Sequence, residues 1–168
     1  GRSADSGGVV YAYGAGDVEI IESVVRDCSA GIFGGVVFAS DSGAVSITSS
    51  DVSGCSAGRN GGVVYANANS GAVSITNSTV WDCSAFWGGV VYAQQSESLS
   101  IAGVDFIDNR ADISGSVLFL ANLKQRSSIS NASFTGNDGV AIQILNSQID
   151  WDCRLGRWMP SEGSFKGD

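Results

Sequence analysis

GGVVFASDSGAVSITSSDVSGCSAGRN, residues 34–60, runs directly into GGVVYANANSGAVSITNSTVWDCSAFW, residues 61–87, and the second stretch repeats the pattern of the first over the same 27 positions. Working outward, Gly8, Gly35, Gly62, Gly89 and Ser116 stand 27 apart, inside GGVVYA, GGVVFA, GGVVYA, GGVVYA and GSVLFL, with a shortened GVAIQI beginning at Gly139. Self-similarity at a fixed period of this size marks a solenoid, in which each unit buries its apolar face only by stacking on its neighbours.

Each unit contains two further short β segments. The second reads VEI at Val18, VSI at Val45, VSI at Val73, LSI at Leu99 and SSI at Ser127. The third reads VRDC at Val25, VSGC at Val52, VWDC at Val80, FIDN at Phe106 and FTGN at Phe134. Residue gains and losses, NANSG against SDSG and SAFW against SAGRN, fall between the segments, where a solenoid tolerates them.

A unit this short has no room for a βα crossover and shows no helical periodicity. Wound as a coil, each strand pairs in parallel with its equivalent one turn on, and such connections are right-handed in nearly all proteins. The expected fold is all-β, a right-handed parallel β-helix with three short strands per coil. It covers residues 1–150, with 151–168 as a tail or cap. Alternation turns two columns inward: Ile20, Ile47, Ile75, Ile101 and Ile129, and Val25, Val52, Val80, Phe106 and Phe134.

Composition agrees and excludes several functions. Glycine is abundant at 23 residues while proline occurs once, which suits tight turns and not linkers. Seventeen acidic residues against nine basic ones repel phosphate backbones, so no nucleic-acid partner is expected. No apolar run is long enough to span a bilayer, so no membrane insertion is expected. With no histidine and no CxxC, neither a metal nor another cofactor is expected.

The pair formed by GGVVY and FIDN/FTGN resembles the polymorphic outer membrane protein repeat family, whose units carry a GGA-aliphatic motif and an FxxN motif. The resemblance covers about residues 7–150, with Cys28, Cys55 and Cys83 standing where that family has Asn. It implies a β-helical surface adhesin or passenger domain, and similar repeats occur in large surface proteins of single-celled eukaryotes. The tail WDCRLGRWMPSEGSFKGD resembles the opening of a cysteine-rich extracellular module that follows such helices. An extracellular or cell-surface location is therefore expected.

Cys28, Cys55 and Cys83 occupy one column of successive coils, at a spacing that a disulfide could bridge, though stacked side chains also suit buried thiols packed as small hydrophobes. Asn109 and Asn137 continue the column as an amide ladder. Cys153 lies outside it and is expected to pair beyond Asp168 or in another chain. Two glycosylation acceptors, Asn77 in NST and Asn131 in NAS, share one corner.

Tyr11, Phe38, Tyr65, Tyr92 and Phe119 form an aromatic column that Gln143 continues. A Gln there suggests an outward face, with Val9, Val36, Val63, Val90 and Val117 beside the rings as a contact surface. The alternative puts the rings inside and Ala12, Ala39, Ala66 and Ala93 outside. On the second strand, Ser46, Thr48, Ser74, Thr76, Ser100, Ser128 and Ser130 face out, a flat hydroxyl array that could order water on ice. Glu19 and Ile21 interrupt it. Asp82 and Asp108 share a column, but no basic residue recurs beside them, so no enzyme is expected.

The expected role is structural or adhesive: a rigid extracellular segment making lateral and end-to-end contacts with other subunits or adjoining domains in a filament, sheath or coat. Carbohydrate stacking on the aromatic column is the alternative. The first coil is expected to be bare, because GRSADS is too short and polar to cover it, so that the natural molecule extends further or its copies stack.

Overall fold

Valine, isoleucine and threonine at alternate positions favour extended backbone, and a turn residue every few positions limits each extended stretch to three or four residues. A computed structural model describes residues 1–3, 5–152 and 163–165. It is an all-β parallel solenoid without helices, with about 27 residues and three strands per coil.

The first sheet stacks Val10–Tyr13, Val37–Ser40, Val64–Asn67, Val91–Gln94, Leu118–Ala121 and Ile142–Leu145 in parallel. Gly163–Phe165 joins its far edge antiparallel to Ile142–Leu145. The second sheet stacks Val18–Ile21, Val45–Thr48, Val73–Thr76, Leu99–Ala102, Ser127–Ser130 and Ile149–Asp152, so coil stacking continues to Asp152. The third holds Val24–Arg26, Asp51–Ser53, Thr79–Trp81, Asp105–Ile107 and Ser133–Thr135. In these three sheets register passes from one coil to the next without slip, as in Ile47↔Ile75↔Ile101↔Ile129.

Past the third strand the chain bends at a left-handed residue, Asp27, Gly54, Asp82 or Asp108, and continues into a short fourth sheet, while after the same bend at Gly136 only Asp138 bridges to it, at Arg110. That sheet contains Arg2–Ser3, Ser29–Ala30, Ser56–Ala57, Ser84–Trp87 and Arg110–Ser114. Arg2–Ser3 pairs with Ser29–Ala30, because its spacing from the glycine doublet matches that of the later coils. It extends only the fourth sheet, leaving the first-coil strands of the other three paired on one side.

The Ile column is the core axis: Ile47, Ile75 and Ile101 are completely buried, as are Val52, Val80 and Phe106 of the third strand. Each such side chain taken out of water contributes about 1.5–3 kcal/mol. The glycine doublet makes the corner before the first strand. Gly34 has φ +63° and a Cβ would strike the Val37 carbonyl, while Gly35 lies against the Gly62 carbonyl of the next coil. A side chain at either position would push the coils apart.

Candidate functional site

The expectation for the doublet's valines needs correction. Val36, Val63, Val90 and Val117 are completely buried and do not line an outer face. The second valine begins the strand, and the carbonyl of the first accepts two N–H groups from the preceding coil, as Val63 does from Val36 at 3.0 Å and Val37 at 2.9 Å. That doubled bond breaks the alternation, so both valines point inward. Only Val9, on the first coil, is exposed.

The aromatic column lies on the outer side of the first sheet, with Ala12, Ala39, Ala66 and Ala93 buried inside. Its rings are stacked face to face: Tyr11–Phe38 at 4.7 Å, Phe38–Tyr65 at 5.3 Å, Tyr65–Tyr92 at 5.4 Å and Tyr92–Phe119 at 5.0 Å, with neighbouring planes at most 9° apart. Phe33 stacks on Tyr65 at 4.5 Å and Trp87 meets Phe119 edge-on at 5.1 Å. These covering rings were missed in the sequence, although Ser6, Phe33, Asn60 and Trp87 precede each doublet at the period and bridge from coil to coil. Tyr65 and Phe119 are consequently buried. Asn67 Nδ2 donates to Tyr65 Oη at 2.8 Å, and Tyr92 Oη donates to Gln94 Oε1 at 2.8 Å. Burial pushes both phenols up.

Cys28, Cys55 and Cys83 are buried free thiols. Each Sγ donates to the carbonyl two residues earlier, Arg26 at 3.4 Å, Ser53 at 3.2 Å and Trp81 at 3.3 Å. The neighbouring Cys55 side chain, with desolvation, holds Cys83 well above the ordinary thiol range, and desolvation pushes the Cys28 thiol up. Cys55 is lowered to about 7, chiefly by the neighbouring Cys83 side chain. The column then changes chemistry: Asn109 Oδ1 accepts from Cys83 N at 3.0 Å while its Nδ2 donates to Val80 O at 2.9 Å and Asn137 Oδ1 at 3.1 Å. Asn137 Nδ2 ends the ladder on Phe106 O at 3.0 Å. Cys153 lies outside the described residues.

Asn77 and Asn131 are exposed at the corner after the second strand, both left-handed, at φ 48° and 46°. Gly103 occupies the same corner in the coil between them. The hydroxyl array lies along the second strand, mostly half-buried, with Ser74 and Thr76 oxygens 3.4 Å apart. Asp82 and Asp108 are exposed at the left-handed bends of adjacent coils.

Neither a curated protein nor a solved structure matches the chain. Residues 2–151 match the model of the family described as periplasmic copper-binding protein (NosD). Matched over nearly its whole solenoid, the chain belongs to the NosD family.

Proposed function

We propose that this chain is a structural segment of an extracytoplasmic β-helical rod. The observation that carries this reading is the continuous stacking of coil on coil: the second sheet runs through six parallel strands in one register, and its axis residues Ile47, Ile75 and Ile101 are completely buried.

The family is described as periplasmic, a compartment outside the cytoplasm, and that supports the location; a place at the cell surface and an adhesive role in a coat or filament are the finer reading. Glycans on Asn77 and Asn131 belong to it, since both amides face solvent. Intact-mass measurement of native material before and after deglycosylation tests them, and an unchanged mass overturns that part.

Copper, named in the family description, does not fit the donors among the described residues. Soft and imidazole ligands hold copper, yet the sequence has no histidine, and its one methionine, Met159, lies outside the described residues. The three thiols are turned onto backbone carbonyls inside the coil. Among the described residues no three His, Cys, Asp or Glu side chains converge.

Hydrogen exchange tests the rod. The expected result is slow exchange of the strand amides throughout the central coils, Val37–Ser40 to Asp105–Ile107. Fast exchange at Ile47, Ile75 and Ile101 overturns it.

A further inference from the structure

One place on the solenoid departs from its own repeat. The fourth sheet is two residues wide at Ser29–Ala30 and Ser56–Ala57, then four at Ser84–Trp87 and five at Arg110–Ser114. The cause is local: SAFW runs straight to the next glycine doublet where SAGRN turns. Register holds at Ser84↔Arg110 and Ala85↔Ala111 but has slipped by one residue at Trp87↔Ser114, so Asp112 and Ile113 together oppose Phe86. Such a bulge re-aims the side chains around it.

The re-aimed side chains bound an open cleft of about 390 Å³. Ala57, Gly58, Ser84 and Ala85 line it with small side chains, Phe86 on the same lining is 46% exposed, and Arg110 there pairs with Asp112 at 3.0 Å. Asp138 lies a further 4.0 Å from the same guanidinium. Here an open ring sits beside a compensated ion pair, whereas the faces of the inner rings of the aromatic column are taken up by one another.

We propose that this cleft binds a neutral saccharide, with a sugar's C–H face on Phe86 and adjacent hydroxyls donating to Asp112 and accepting from Arg110. A hydroxyl is both donor and acceptor, so it serves either member of the ion pair without disturbing its charge balance. An anionic ligand gains no such fit: two carboxylates already neutralise Arg110, and the chain carries a net charge of −8. The volume suits one or two sugar rings of a longer glycan. This site is independent of the rod reading, and neither needs the other.

The ¹⁵N-labelled protein is titrated separately with cellohexaose, xylohexaose, mannohexaose, hexa-N-acetylchitohexaose and hexagalacturonate while amide shifts are followed. The expected result is saturable movement of the Ala57, Ala85 and Arg110 amides with at least one neutral hexasaccharide. Phe86→Ala should weaken that binding at least tenfold and Phe86→Tyr should preserve it, both with the spectrum unchanged elsewhere. The proposal is overturned if no neutral member binds saturably, if hexagalacturonate binds as well as the neutral ones, or if Phe86→Ala binds like the parent.

Discussion

The ring of Tyr92 lies on the ring of Phe119 with 5.0 Å between centroids and 1° between planes. The same relationship runs through the column, so the outer side of the first sheet is held by ring-on-ring contact as well as by strand pairing. Tyr65, buried and touched by Phe33, Phe38 and Tyr92, is the position with most to lose. Tyr65→Ala is expected to cost about 3 kcal/mol, while Tyr11→Ala, with one stacking neighbour and an open face, should cost under about 1 kcal/mol. Urea denaturation of the two variants checks this; equal losses would mean the stacking contributes nothing.

Ile75 is completely buried between Ile47 and Ile101. Ile75→Val should cost about 1 kcal/mol, the removal of one methylene. Ile75→Asp places an unpaired carboxylate in the axis of the core and is expected to abolish cooperative unfolding of the central coils. A melting curve like the parent's would contradict the inward assignment of the column.

Asn109 joins the thiol and amide halves of its column through bonds to Cys83 N, Val80 O and Asn137. Removing its side chain strands a buried donor and a buried acceptor, so Asn109→Ala should cost about 3 kcal/mol. Hydrogen exchange should show the loss first at the Cys83 amide.

The thiols make stability depend on alkaline pH. Cys28 and Cys83 are raised above the ordinary thiol value of 9.0, so above pH 9 the unfolded chain releases protons that the folded chain keeps, and stability falls. Cys55, lowered to about 7, acts oppositely: its contribution is complete above 9 and is lost as pH falls through 7. Above pH 9 the Cys55 contribution no longer changes, and above 10 the raised phenols of Tyr65 and Tyr92 add to the fall. The melting temperature should therefore drop beyond pH 9, and Cys28→Ala with Cys83→Ala should flatten the part of that drop below pH 10.

The period, the three strands of each coil and the identity of the inward Ile and Val/Phe columns were all legible in the sequence. Stacking gives every coil the same neighbours, so residues such as Ile47, Ile75 and Ile101 are selected alike and the repeat records its own contacts. Asn77 and Asn131 could likewise be placed on one corner by counting.

Alternation, however, holds only inside a strand. At the glycine corner one carbonyl accepts two N–H groups and the chain passes against the next coil's backbone, so it took the tertiary structure to turn Val36, Val63, Val90 and Val117 inward. The cover of Phe33 and Trp87 over the rings, and the bulge that opens the cleft at Phe86, arise from how unequal turns meet across neighbouring coils. The sequence by itself determined the coil; the corners, where neighbouring coils differ in length, were decided by the packing between them.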